Sequence, residues 1–239
     1  MTNYVLVHGA WHGGWAWQRV VPALRAAGHE VHTPTLAGLS DRAHLLSRSI
    51  TLDTHIQDIV ALLEAYDLSD VTLVGHSYGG QVISGVADRV PGRIAVRVYL
   101  DAFLASDGEA AIDMLPASVA AHYRDSVAER GFGWLIPPRP LAGLGVTEEA
   151  DVAWLTPRLT PHPWSTFARP IALTGAADAV PGVYIECAAG GRPFQSQAAR
   201  AVARGWPTRE IPTGHEAMVT RPAELGKLLL ESVSAAARP

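Results

Sequence analysis

The chain has 239 residues, a formal net charge of −4 and 48% hydrophobic residues, and it contains one cysteine, Cys187. This length favours a single domain over residues 1–239, the composition excludes a disordered chain, and a lone cysteine cannot form an internal disulfide. Because there is no basic run and no apolar stretch long enough for a bilayer, we predict neither a nucleic-acid nor a membrane partner. The N-terminus lacks the basic start of a signal peptide, so we expect a cytoplasmic protein.

Short apolar runs alternate with helical patterns along most of the chain. Several of the runs end at glycine or proline, and the segments between them repeat apolar residues at the spacing of one helix face. This alternation predicts an α/β fold, a mostly parallel sheet flanked by helices. The predicted strands are residues 4–7, 30–33, 71–74, 94–100, 183–187 and 208–212, and the predicted helices are residues 16–27, 52–66, 81–89, 193–204 and 222–236.

The helix predicted at residues 52–66 has a recognisable start and an apolar face. Thr51 precedes it and is a residue type that favours the N-cap position, where its hydroxyl accepts a backbone N–H. Its apolar residues recur at helical spacing, so one side of the helix should face the core. These residues are Ile56, Ile59, Val60 and Leu63.

The alternation stops after residue 100. Residues 102–170 are rich in proline and alanine and show no strong period-two pattern. An insertion that follows the strand at 94–100 would lie above the carboxyl ends of the strands, where ligands bind in open α/β sheets. We therefore predict a mainly helical lid over about residues 102–170, with Trp134, Trp154 and Trp164 contributing to an apolar pocket.

The stretch VTLVGHSYGG at residues 71–80 predicts a strand, a sharp turn and a helix, with Ser77 at the turn. A serine there is held out over the carboxyl end of the sheet, and Gly75 and Gly79 suit a turn that strand and helix crowd. The free N–H groups of the following helix favour a developing negative charge. We therefore predict that Ser77 is a catalytic nucleophile.

A serine nucleophile needs a base, and His215 has a suitable position. It lies in the loop at residues 212–218, directly after the last predicted strand. Because parallel strands end at one edge of a sheet, this loop should emerge beside the serine turn. His8, His12 and His76 flank glycine turns and are better explained as packing or hydrogen-bonding residues around the site.

The third catalytic residue is predicted from the position of the carboxylates. Asp101 directly follows the strand at 94–100, so its carboxylate can reach the catalytic edge and hold the base in the correct tautomer. Asp178 and Asp107 are the alternatives.

An oxyanion hole needs two backbone donors close to the serine. Tyr78, directly after Ser77, should supply one N–H, and Ala10, in the turn after the first strand, should supply the other. In the same two turns, Trp11, His12 and His76 are predicted to contact the substrate.

These segments resemble the α/β-hydrolase superfamily. The stretches VLVHGAWHGGWAW and VTLVGHSYGG, with the late Gly214-His215, are similar to the branch that contains plant methylesterases, hydroxynitrile lyases and small bacterial esterase-like proteins. The resemblance covers nearly the whole chain outside the lid, and it implies the α/β-hydrolase fold with a Ser, Asp, His order along the chain.

The chain departs from that branch at two places. In the branch, the acid usually follows the strand equivalent to residues 183–187, but here residues 188–192 contain no carboxylate, which is why we place the acid at Asp101. The lyases carry a lysine directly after the catalytic histidine and a threonine in the first turn. Here those positions are Glu216 and Ala10, which argues against cyanohydrin chemistry.

Together these features predict a carboxylic ester hydrolase of the serine type. Its substrate would be a small, fairly apolar ester, lactone or thioester, cleaved through an acyl-enzyme. The sequence contains neither a metal-ligand cluster nor a phosphate-binding fingerprint, so we predict no metal and no cofactor. Two other functions remain compatible with the sequence: a lyase or cyclase of natural-product metabolism on the same scaffold, and a small-molecule receptor with little turnover.

Overall fold

The computed structural model describes residues 2–236, and its centre is a six-stranded sheet. The strands are β1 (Asn3–Val7), β2 (Glu30–His32), β3 (Val71–His76), β4 (Ile94–Leu100), β5 (Leu135–Ile136), β6 (His162–Pro163), β7 (Gly182–Cys187) and β8 (Thr208–Ile211). The larger sheet has the order β2-β1-β3-β4-β7-β8, and every pairing in it is parallel. The carboxyl ends of these strands therefore share one edge.

Helices cover both faces of the sheet. They are α1 (Val21–Ala26), α2 (Leu52–Ala65), α3 (Gly79–Arg89), α4 (Ala117–Arg130), α5 (Glu149–Leu155), α6 (Ser165–Ala168), α7 (Gln195–Ala203), α8 (Ala217–Thr220) and α9 (Pro222–Ala236). Successive side chains of a strand point to opposite faces, and β1 shows this directly. Val5 and Val7 pack in the core with residues of α2 and α3, whereas Tyr4 and Leu6 pack in a second core with residues of α1 and α9.

The sequence interpretation of α2 is confirmed. Thr51 is its N-cap, and the Thr51 hydroxyl accepts the backbone N–H of Thr54 at 3.4 Å while the Thr54 side chain accepts the N–H of Thr51 at 3.1 Å. This reciprocal pair satisfies two donors at the helix start. The four apolar residues predicted for the inner face, Ile56, Ile59, Val60 and Leu63, are all buried.

The helix predicted at residues 16–27 is wrong in its first half. Residues Gly14–Trp17 form a single 3₁₀ turn, and the α-helix begins only at Val21. Pro22 lies in the first turn of α1. Proline lacks an N–H and its ring clashes with the preceding turn, so it is tolerated at the start of a helix and not in the interior.

The insertion between β4 and β7 is more varied than the sequence indicated. It contains the helices α4, α5 and α6, which agrees with the helical character predicted for it. It also contains the antiparallel pair β5–β6, in which Leu135 faces Pro163 and Ile136 faces His162. The insertion is fastened to the turn after β1, because Trp11 Nε1 donates to the Ile136 carbonyl at 3.1 Å and Thr160 N donates to the Trp11 carbonyl at 2.9 Å. Part of the insertion therefore lies at the carboxyl edge of the sheet.

No helix within residues 2–236 combines the length and the apolar character required to cross a membrane.

Candidate active site

Ser77 lies in the sharp turn between β3 and α3, and its backbone is in the left-handed region with a φ of 53°. A Cβ on Gly75 would come within 2.6 Å of the Gly79 carbonyl oxygen, and a Cβ on Gly79 would come within 2.7 Å of the Val7 carbonyl oxygen. Both glycines are therefore required by close backbone packing. The conformation of Ser77 is costly for a residue with a side chain, which is a common feature of functional sites.

His215 and Asp101 form a buried pair at the same edge of the sheet. Nδ1 of His215 donates to Oδ2 of Asp101 at 2.6 Å, and the Asp101 side chain is fully buried. Asp101 follows β4, has a φ of 42°, and is held by its N–H to the Ile185 carbonyl at 2.8 Å. Because Nδ1 carries the proton that Asp101 accepts, a neutral His215 has Nε2 free to act as a base.

The surroundings of His215 adjust its pKa in opposite directions. Burial by itself lowers the pKa of this imidazole, because it disfavours the charged form. The hydrogen bond and the charge of Asp101, together with the charge of Glu216, outweigh that effect and raise the pKa above the ordinary value of 6.5. An imidazolium that forms during proton transfer is thus stabilised in place.

The structure brings Asp101 to His215, and it places both alternative carboxylates elsewhere. Asp178 is exposed, and its carboxylate lies near Gly175. Asp107 is also exposed, and its Oδ1 accepts the backbone N–H of Leu173 at 2.8 Å. This geometry favours Asp101 as the third catalytic residue, a role that stays a prediction.

Ser77 and His215 open into one cavity of about 250 Å³. Most of its wall is apolar or backbone, and Ala10 and Trp11, from the turn after β1, belong to it. The apolar side chains of the wall are Ala10, Trp11, Phe103, Leu115, Pro116, Val119, Ala142, Leu144, Phe167, Ala189, Pro193 and Phe194. A cavity of this kind suits a small ligand with much apolar surface.

Of the two predicted oxyanion donors, Ala10 lines the cavity together with Ser77, and Tyr78 directly follows Ser77 in the chain. Within residues 2–236, no backbone carbonyl accepts the N–H of Ala10 or of Tyr78. The N–H of Tyr78 precedes the first turn of α3, and the Tyr78 ring is buried against Phe167 at a centroid distance of 5.2 Å. The Tyr78 side chain therefore serves packing, and the role of its N–H as an oxyanion donor stays a prediction.

His12 and His76 lie behind the cavity wall. Nδ1 of His12 donates to the Ala10 carbonyl at 2.7 Å, and Nε2 of His76 donates to the His215 carbonyl at 3.0 Å. Each ring thus supports a turn that carries a site residue, and neither lines the cavity. This geometry indicates a bracing role for both, and direct contact with substrate stays a prediction.

Comparison with known proteins places this chain in a family. The model of the Alpha/beta hydrolase family matches residues 4–227. This chain belongs to the alpha/beta hydrolase family. The predicted fold is confirmed, and so is the resemblance stated from the sequence.

The relatives of this hydrolase include named esterases. It is 40% identical over 241 residues to the carbendazim hydrolyzing esterase of Nocardioides sp., covering 96% of this chain and 98% of that protein. It is 36% identical to methylesterase 2 of Arabidopsis thaliana over 104 residues, which is 43% of this chain and 40% of that protein. These named esterases confirm the prediction that the chain is an enzyme of the esterase type.

A solved structure extends the comparison to the whole fold. An extracellular alpha/beta-hydrolase from a Paenibacillus species has a TM-score of 0.86 and 25% sequence identity, with 100% of both chains covered. It is described as sharing structural and functional homology with tobacco salicylic acid binding protein 2.

Glu216 belongs to the site of this hydrolase, whereas in the sequence its position argued only against lyase chemistry. Its carboxylate is 1% exposed, and Oε2 lies 3.4 Å from Nε2 of His12. Nδ1 of His12 donates its proton to the Ala10 carbonyl, so Nε2 of a neutral His12 is an acceptor, and so is the Glu216 carboxylate. A hydrogen bond between Nε2 and Oε2 therefore requires a proton on one of these two atoms. The signal that could have found Glu216 is its position directly after the predicted base.

Three side chains of the described region could share a cation. They are His76, His215 and Glu216, and one ligand atom of each lies within 4.8 Å of the others. The Nδ1 of His215 and the Nε2 of His76 are already engaged in hydrogen bonds. The expectation of a metal-independent site stays a prediction.

The insertion contributes cavity residues that its sequence pattern did not indicate. Tyr123, Arg139 and Phe167 line the cavity, whereas the predicted tryptophans Trp134, Trp154 and Trp164 do not. Trp154 instead packs edge-on against Trp15 at a centroid distance of 5.2 Å. The insertion has no regular pattern, so nothing local to it indicated which aromatic residues face inward.

Proposed function

We propose that this chain is a serine hydrolase that cleaves a small, fairly apolar carboxylic ester, lactone or thioester through an acyl-enzyme. The observation that carries the proposal is the shared cavity of Ser77 and His215, with His215 hydrogen-bonded to the buried Asp101. The names of the esterase relatives support it. The carbendazim and methyl-ester chemistry in those names makes carbendazim and methyl esters suitable first substrates to test here.

In the proposed acylation, Oγ of Ser77 attacks the carbonyl carbon while Nε2 of His215 accepts the hydroxyl proton. Asp101 keeps the imidazole in the required tautomer and stabilises the imidazolium. The N–H groups of Ala10 and Tyr78 hold the negative oxygen of the tetrahedral intermediate. His215 then gives its proton to the leaving group, and the acyl-enzyme forms.

In the proposed deacylation, His215 takes a proton from water, which attacks the acyl-enzyme carbonyl. The same two N–H groups hold the second oxyanion, and the proton returns to Ser77 as the acid leaves. The apolar wall of the cavity limits water around the reacting carbonyl, and this strengthens each hydrogen bond to the oxyanion.

The test is labelling with a fluorophosphonate probe, followed by turnover of p-nitrophenyl esters, methyl esters and carbendazim. Wild type should label and turn over short esters, whereas Ser77→Ala and His215→Ala should lose labelling. We expect kcat to fall by about 10⁴-fold or more in both variants, because the residues of a triad act as a unit. Ser196→Ala, an exposed serine, is the matched control and should behave as wild type. Folded wild-type protein that does not label would contradict the proposal.

A receptor with little turnover is the second candidate, because the Paenibacillus neighbour is described as functionally homologous to a binding protein. Thermal stabilisation by a ligand that is never converted would support this candidate. The lyase alternative is weakened by Glu216 and Ala10, which replace the lysine and threonine of the lyases.

A further inference from the structure

The cavity contains one permanent positive charge, that of Arg139. Among the lining residues that the structure describes, none is an aspartate or a glutamate, and the other titratable groups are Tyr123 and His215. Arg139 is therefore the permanently charged side chain of this lining that a ligand would meet. Anionic groups on a ligand are therefore favoured there.

The guanidinium of Arg139 lies beside two residues that also line the cavity, Tyr123 and Gly143. Its Cζ lies 5.7 Å from the centroid of the Tyr123 ring, and Nη2 lies 3.9 Å from the position that a Cβ on Gly143 would take. The charge of Arg139 also acts to lower the pKa of His215 against the larger effect of Asp101, so its field reaches the proposed base. Arg139 thus lines the same cavity as Ser77 and His215 and is partly shielded from water.

Arg139 has no carboxylate partner in the part of the chain that the structure describes. Within residues 2–236, no aspartate or glutamate lies within ion-pair distance of its guanidinium. Other half-buried arginines are paired: Arg19 with Asp151, and Arg200 with Glu109. A partly desolvated guanidinium that has no carboxylate partner is compensated when a ligand supplies an anion.

We propose that the substrate of this site is an ester with a carboxylate remote from its scissile bond, and that Arg139 binds this carboxylate. The inference rests on the proposed hydrolase function and names its substrate class. The planar guanidinium matches a carboxylate through two parallel N–H donors, which a lysine cannot reproduce. The apolar wall contacts the carbon skeleton between the two ends.

The first experiment compares methyl half-esters of C4–C8 dicarboxylic acids with the corresponding dimethyl esters. Wild type should favour the half-ester in kcat/KM by about 10- to 100-fold at the best chain length, as expected for a hydrogen bond to a charged group. In Arg139→Gln this ratio should fall to about one, and in Arg139→Lys it should be intermediate. Arg158→Gln, an exposed arginine of the same insertion that does not line the cavity, should keep the wild-type ratio.

The second experiment measures binding without turnover, by calorimetry on Ser77→Ala protein. The half-ester should bind about 10-fold or more tightly than the dimethyl ester, and adding Arg139→Gln should remove the difference. Equal binding of the two esters, or a difference that survives Arg139→Gln, overturns the inference. Arg139-dependent binding in a protein whose wild type hydrolyses no ester would uphold the carboxylate site and refute the hydrolase function.

Discussion

Three residues of the site have left-handed backbones although none is glycine. Trp11, Ser77 and Asp101 have φ values of 68°, 53° and 42°, and they follow β1, β3 and β4 at the same edge of the sheet. This conformation costs on the order of 1 kcal/mol or more for a residue with a side chain. Glycine would remove that cost, so each position retains a side chain at the expense of stability. For Ser77 and Asp101 the proposed chemistry gives the reason, and for Trp11 the reason is the cavity wall.

Substitution of Asp101 tests the proposed acid. Asp101→Asn should lower kcat by about 10³- to 10⁴-fold, because the amide no longer fixes the tautomer or stabilises the imidazolium. The neutral imidazole is the active form, so wild-type activity should be lost as pH falls through a pKa above 6.5. Without the negative charge that raises this pKa, the residual activity of Asp101→Asn should persist to lower pH. The measurement is the pH profile of kcat/KM.

Asp178→Asn is the matched control, since Asp178 is exposed and does not line the cavity of Ser77 and His215. It should leave both the rate and the pH profile unchanged. A larger loss in Asp178→Asn than in Asp101→Asn would reassign the acid.

At the scale of elements, the serine turn depends on how closely α3 approaches β1. A Cβ on Gly79 would come within 2.7 Å of the Val7 carbonyl and 2.8 Å of the His8 carbonyl, both of them backbone atoms that cannot turn aside. Any side chain there forces α3 away from the sheet. The position of Ser77 over the sheet is therefore a property of this packed strand–turn–helix unit.

Gly79→Ala should disturb this unit. We expect the free energy of unfolding to fall by about 1–3 kcal/mol, the usual cost of overpacking, together with a loss of fluorophosphonate labelling. Urea unfolding and the labelling rate are the measurements.

Gly92→Ala makes the same chemical change where a Cβ meets nothing within 4 Å. It should leave both stability and labelling close to wild type. Equal behaviour of the two variants would show that the turn tolerates a side chain.

For the molecule as a whole, several buried histidines are held neutral around the site. Burial lowers the pKa of His8 to about 3 and that of His55 to about 4, and it lowers those of His76 and His162 well below 6.5. The hydrogen bonds agree, because Nδ1 of His8 donates to the Gly9 carbonyl while Nε2 accepts the N–H of Leu36. A charged ring in that position would lose its acceptor role.

These histidines predict acid-sensitive stability. Below pH 6.5 the unfolded chain binds protons at these positions and the folded chain does not, so stability falls as pH falls from about 6.5 toward the folded-state pKa values. Each such histidine contributes a slope of up to about 1.4 kcal/mol per pH unit. Urea unfolding between pH 5 and pH 8 measures the slope. His55→Gln should reduce the slope, whereas His122→Gln, at an exposed position, should not; a flat profile in wild type would contradict the argument.

The sequence by itself determined the fold and predicted much of the proposed site. Strand and helix patterns are local, and parallel strands must end at one edge, so the proximity of Asp101 and His215 followed from topology although 114 residues separate them. The turn at Ser77 was equally local, because two glycines and a serine between a strand and a helix already specify it.

Only the tertiary structure decided which side chains form the cavity and which support it. Arg139 and Tyr123 come from an insertion without periodicity, and their inward orientation depends on contacts such as that between Trp11 and the Ile136 carbonyl. His12 and Glu216 are polar residues whose mutual burial no local pattern encodes. Burial of a polar group is set by what the rest of the chain places around it, and for these residues that surrounding comes from distant segments.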